Sequence, residues 1–163
     1  MSRILSDERC YVVSFFGHRQ LDITNAMEDR LESIIRSILL EKEYVEFLIG
    51  RDGDFDIWTA SVIRRMKRTV RDDNSSLTWV MPYLEAEYKN NEESMEEYYD
   101  HIEISDAASL AHYKRAYIIR NREMVDRSDL VIAYVNCKSG GAFQTLDYAK
   151  KVGKEVINLS VND

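Results

Sequence analysis

Short apolar runs that stop at turn residues alternate with stretches of helical period along this chain, and that alternation restricts the fold more than any other feature. Tyr11-Val12-Val13-Ser14-Phe15-Phe16 stops at Gly17, Tyr44 to Ile49 stops at Gly50, and Leu77 to Met81 stops at Pro82. Leu130 to Val135 and Glu155 to Leu159 are two further runs. Between them, Thr24 to Leu40 sets Ala26, Met27, Leu31, Ile34, Ile35, Ile38 and Leu39 on one helical face, with Thr24 as the N-cap. Phe55 to Arg71, a segment from Ala111 or Tyr113 to Arg127, and Ala142 to Val152 repeat the helical period, the last closed by Gly153. Strands that are apolar throughout must be covered on both faces, as in a parallel sheet with crossover helices. The expectation is an α/β, Rossmann-like three-layer sandwich with a mainly parallel five-stranded sheet in the order 3-2-1-4-5. Tyr83 to Tyr99 fits either helix or loop, and His101 to Ile104 alternates as a short extended piece does.

The 163 residues suit a single domain over 1–163, and a net charge of −7 argues against broad nucleic-acid binding, so a nucleic-acid partner is not expected. No apolar stretch is long enough to span a membrane and no leader is evident, so a cytoplasmic protein without a membrane partner is expected. Cys10 and Cys137 fit no metal or redox spacing, so they read as reduced thiols, and no metal is expected.

In an open parallel sheet, ligands bind beyond the carboxyl ends of the strands where the strand order reverses. That points to the loop after Phe16 and the loop from Asn136 to Thr145. Gly17-His18-Arg19 offers close backbone approach, a titratable ring and a fixed cation. Gly140-Gly141 precedes a helix, whose free N–H groups and dipole attract anions, although a plain turn needs the same residues. The loop Gly50-Arg51-Asp52-Gly53-Asp54-Phe55-Asp56 lies on the same edge. There Asp54 or Asp56 can hydrogen-bond a ribose hydroxyl or act as a base, and Asp54 equally fits a helix cap. Arg120-Asn121-Arg122 can reach a phosphate or base, or can belong to a solvated face with Arg127 paired to Asp126 or Asp129. Tyr98, Tyr99, Tyr113 and Tyr117 suit base stacking or simple packing.

These residues together resemble the SLOG superfamily. The resemblance rests on strand-Gly17-His18-Arg19, the Gly50-x-x-Gly53 loop, Arg120-Asn121-x-x-Met124-Val125-Asp126-x-Ser128-Asp129, and a strand followed by Gly140-Gly141 and Thr145. The YpsA-like branch is most similar, with LOG phosphoribohydrolases and DprA more distant. LOG enzymes cleave the N-glycosidic bond of nucleoside monophosphates with an Arg and a Glu, the Glu within Pro-Gly-Gly-x-Gly-Thr-x-x-Glu. Here the matching stretch is Gly140-Gly141-Ala142-Phe143-Gln144-Thr145-Leu146-Asp147, without the Pro and the third Gly and with Asp147 in the Glu place. The resemblance therefore implies a nucleotide or nucleotide-derived phosphorylated ligand for a sensor or regulatory module, with no required cofactor. Its ligand set is Gly17, His18, Arg19, Gly50, Gly53, Arg120, Asn121, Asn136, Gly140, Gly141 and Thr145. The alternative is a phosphoribohydrolase using Asp147, Arg19 and Asp54. A homo-oligomer is also expected, through the Tyr- and Glu-rich middle segment.

Overall fold

The computed structural model describes residues 10–161; the ends of the expected 1–163 domain lie outside the described residues. The strands are β1 (Cys10–Gly17), β2 (Tyr44–Ile49), β3 (Ser75–Met81), β4 (His101–Ile104), β5 (Leu130–Tyr134) and β6 (Glu155–Asn158). The helices are α1 (Asn25–Glu41), α2 (Asp54–Thr69), α3 (Ala86–Asn90), α4 (Glu92–Tyr98), α5 (Asp106–Ser109), α6 (Tyr113–Arg127) and α7 (Gly141–Lys151).

All strands are parallel, in the order β4-β3-β2-β1-β5-β6. The sheet thus has six strands where five were expected. The five expected strands keep their relative order, and His101–Ile104 adds the sixth beside β3, pairing Thr78 with His101 and Met81 with Ile104. The ambiguous segment Tyr83–Tyr99 forms the two short helices α3 and α4 that carry the chain to this edge.

The pleat sends Val13 and Phe15 to one face and Ser14 and Phe16 to the other. On the first face Phe15, Phe47, Ile49 and Trp79 pack with Leu31, Ile35 and Ile63 of α1 and α2. On the second, Phe16, Leu48, Val80 and Val131 pack with Met124 and Val125 of α6 and Ala149 of α7. Helix boundaries follow local chemistry. The Thr24 hydroxyl accepts the Met27 N–H at the start of α1. Gly153, at φ +79°, ends α7 with N–H bonds from Gly153 to Lys150 and from Lys154 to Ala149, a Schellman closure.

The Ser128-Asp129 pair joins α6 to the sheet centre. Ser128 bonds the Met124 carbonyl and Ser14, and Asp129 exchanges bonds with the Val12 backbone, accepting its N–H at 2.9 Å. Arg127 pairs with Glu46 and Glu103, not with Asp126 or Asp129. Because β1 is central, the chain leaves it toward β2 and returns on its other side at β5, so the loops after β1 and β5 diverge and open a cleft.

Candidate functional site

A cleft of about 410 Å³ lies at that divergence, lined by Gly17, His18 and Arg19 after β1 and by Gly140, Gly141 and Ala142 at the start of α7. Asp52 and Asp56 from the β2–α2 loop and Tyr117, Ile118 and Asn121 of α6 form the rest of its wall, with Phe16. Two loops foreseen from the sequence therefore share one cavity.

The glycines divide into two kinds. A Cβ on Gly17 would lie 2.2 Å from Phe55 Cγ, one on Gly53 2.4 Å from Arg19 Cα, and one on Gly50 2.9 Å from an Arg120 Nη. These glycines let the start of α2 and the β2 loop seat against their neighbours, with Asp54 N–H bonded to the Arg19 carbonyl at 2.8 Å. By contrast, a Cβ on Gly140 or Gly141 would meet nothing within 4 Å. Gly140 has φ +94°, a conformation that favours glycine, and no side chain caps the first N–H groups of α7. Free donors and open space coincide there. Gly17→Ala is expected to destabilise the fold by about 1–3 kcal/mol, since fully buried Phe55 has little room to retreat. A denaturant midpoint equal to that of the parent protein would contradict this packing.

Arg120 is fully buried, not part of a solvated face. It donates to Asp52 Oδ2 at 2.5 Å, to the Val80 carbonyl at 2.9 Å and to Asn121 Oδ1 at 2.8 Å. Asn121 donates in turn to the Thr145 hydroxyl at 3.1 Å, which donates to the Gly141 carbonyl at 2.9 Å. Thr145 thus braces the α7 turn through Asn121. Tyr117 sits between two cations, its ring centre 5.6 Å from the Arg19 guanidinium and 5.2 Å from that of Arg120. His18 Nε2 accepts the Asn136 N–H at 3.1 Å and lies 3.9 Å from Cys137 Sγ, linking the two loops. The structure does not bring Asp147 to the cleft wall: it pairs with Lys151 on an exposed turn of α7. Asp54 is the first residue of α2 and caps no N–H of its own helix; its carboxylate accepts the Leu21 N–H at 3.0 Å and pins the loop after β1.

The carboxylates on this edge were partly missed from sequence. Asp52 becomes distinctive only through its bond to Arg120, 68 residues away. Glu85, before α3, has a buried Oε1 without a donor among the described residues. Burial, then the Asp52 charge, push both the Asp56 and the Glu85 carboxyls up to about 7. Each keeps its proton in the folded protein after the unfolded chain has lost it, so stability falls as pH rises from about 4 to about 7. Asp56→Asn can still accept the Asp52 N–H and should gain stability relative to the parent over that window. Urea denaturation at pH 5 and pH 8 checks this; an equal effect at both would contradict it. Among the described residues no cluster of His, Cys, Asp or Glu is arranged to hold a metal ion, and no helix is long and apolar enough to cross a membrane.

No family model and no curated protein matches this sequence. Solved structures do match. DNA processing protein A (DprA) from Streptococcus pneumoniae is similar at a TM-score of 0.62 and 13% identity, over 93% of this chain and 51% of that one. DprA from Helicobacter pylori, described for its single-stranded DNA binding mode, is similar at 0.60 and 16%, over 92% and 65%. The molybdenum cofactor carrier protein from Chlamydomonas reinhardtii is similar at 0.52 and 12%, over 91% and 75%. The chain spans between half and two thirds of the DprA chains. DprA is among the relatives that the SLOG resemblance implied, and at these identities the likeness is one of fold. This chain shares the Rossmann-like α/β fold of DprA and the molybdenum cofactor carrier protein.

Proposed function

We propose that this chain is a cytosolic ligand-binding module of the YpsA-like SLOG type, holding a nucleotide or nucleotide-derived phosphorylated ligand in the β1–β5 cleft. The observation that carries the reading is the uncapped start of α7, with open space over Gly140 and Gly141, in the same cleft as the Arg19 cation. Backbone donors, a helix dipole and a guanidinium together suit a phosphate. Gly17, Gly50, Gly53 and Arg120 shape the cleft in this reading, Asn121 and Thr145 brace the α7 turn, and His18 with Asn136 ties its two loops. Thermal-shift and calorimetric titration with nucleoside mono- and diphosphates and ADP-ribose tests it. At least one should bind, and Arg19→Ala should weaken it; no binding across the panel would count decisively against the reading.

Two other readings have an observation each. Hydrolysis of a nucleotide N-glycosidic bond is favoured by the elevated Asp56 and Glu85 carboxyls, groups suited to proton transfer near neutrality. Release of free base from nucleoside monophosphates, followed by chromatography with Asp147→Ala and Asp56→Asn variants, tests it. Single-stranded DNA is favoured by the fold shared with the Helicobacter pylori DprA and opposed by the net charge of −7. An oligo(dT) arm in the same titrations distinguishes it.

A further inference from the structure

Helices α1 and α2 pack side by side on one face of the sheet, and both run back from its carboxyl edge, so they point the same way. The seam between them is closed by Arg65 of α2, which pairs with Glu28 and Glu32 of α1, and by Trp58 Nε1, which donates to Glu28. Their outer sides face solvent. On α1 the exposed residues Asp29, Ser33, Arg36 and Leu40 recur every three or four positions and form one stripe. On α2 Asp54, Ile57, Ser61, Arg64 and Arg68 do the same. Both stripes begin acidic and turn basic, with a serine near the middle. Among the described residues Asp22, which precedes α1, Asp29, Arg36 and Arg68 meet no opposite charge. Acidic groups near the basic end are spent or turned aside: Asp73 pairs with Arg71, Glu41 lines a groove toward β6, and Asp72 lines one toward α4. The helix dipole does not account for the pattern, because its influence is confined to the first and last turns. Asp29 and Arg36 lie inside α1, and the last turn of α1 has no basic residue.

We propose that this α1–α2 face is a contact between two copies of the chain, packed about a twofold axis with the helices of one copy antiparallel to those of the other. A twofold axis turns each face end for end, so the acidic end of one copy meets the basic end of the other, twice over. Asp22 and Asp29 then face the Arg64–Arg68 end of the second copy, and Arg36 faces its Asp54 end. A surface with one acidic and one basic end is complementary to a surface with the same polarity reversed, which is what a second copy supplies. Ser33 and Ser61 let the helices approach at the centre, and Ile57 and Leu40, 45% and 60% exposed, supply apolar contact. Two helices of this length about 10 Å apart make a face of about 25 by 20 Å, on the order of what each partner gives to a stable interface. The Tyr- and Glu-rich middle segment suits a twofold contact less well. Glu92, Glu93 and Glu97 are exposed on α4, and the axis would set them against their own copies.

The test uses the full chain, with size-exclusion chromatography and light scattering at low salt over a range of concentrations. The parent protein should reach twice the mass of one chain. Arg36→Glu combined with Arg68→Glu makes the face predominantly acidic, and Asp22→Lys combined with Asp29→Lys makes it predominantly basic. Each double variant alone should associate roughly 100-fold or more weakly than the parent, because like charges now oppose across the axis. An equimolar mixture of the two should return to the two-chain mass, with one acidic and one basic chain in each pair. Recovery in the mixture also shows that both variants fold. A parent that stays at the mass of one chain throughout overturns the inference. A two-chain mass that persists in both variants places the contact on another face and overturns it as well. So does a mixture of folded variants, checked by circular dichroism, that fails to pair.

Discussion

Arg120→Ala is expected to cost the fold about 3–5 kcal/mol, with the midpoint of urea denaturation falling accordingly. The guanidinium is 1% exposed and its Asp52 partner 20% exposed. A charge in such a position is tolerable only when its donors are used, and Arg120 directs them to Asp52, to the Val80 carbonyl of β3 and to the neighbouring Asn121. Alanine leaves a cavity, an unpaired carbonyl and a carboxylate without its cation. Arg120→Lys keeps the charge but offers a point donor in place of a planar fork, so it should recover less than half of the loss. Removing Asp52 in the Arg120→Ala background should cost less than removing it from the parent, because the pair is already broken. A loss below about 1 kcal/mol for Arg120→Ala would mean that the pair is solvated, with the value of an exposed ion pair.

Arg120 also illustrates where a sequence stops being informative. In its helix the neighbours Arg122 and Glu123 are polar, so Arg120 reads as part of a solvated face or as a ligand contact. Its burial is decided by the β2 loop and the end of β3, which meet it from far away in the chain. The glycines behave alike. Gly17 is constrained by Phe55, Gly53 by Arg19 and Gly50 by Arg120, and sequence spacing does not separate a glycine needed for packing from one needed for a ligand. Features set by local chemistry were legible: the Thr24 cap, the Gly153 closure, and the position of the two loops at the reversal of strand order. Strand β4 was legible as a short extended piece but not as a member of the sheet, because four partly exposed residues at a sheet edge carry little hydrophobic pattern, and their partner β3 is reached through α3 and α4. The aromatic contacts of Trp79 with Tyr88 and Tyr99 hold that excursion against the sheet, and such contacts leave no periodic signature.

Gly141→Asp should separate folding from binding at the other end of the cleft. A Cβ there meets nothing within 4 Å, so the backbone has room for a side chain at this position. A carboxylate in the first turn of α7 also complements the helix dipole, so stability should stay level or rise by about 0.3–1 kcal/mol. Binding should respond in the opposite sense. Two like charges about 6 Å apart at an effective dielectric of about 20–40 repel by about 1.4–2.8 kcal/mol, which is a loss of roughly 10–100-fold in affinity for a phosphorylated ligand. The loss should shrink as salt is raised, because the site opens to solvent. Gly141→Asn supplies nearly the same shape without the charge, and should lose much less. Calorimetric titration of both variants with whichever nucleotide the parent binds, at low and high salt, reads out the difference. Equal losses for Asn and Asp would show a steric block, and unchanged affinity for Asp would place the phosphate away from α7.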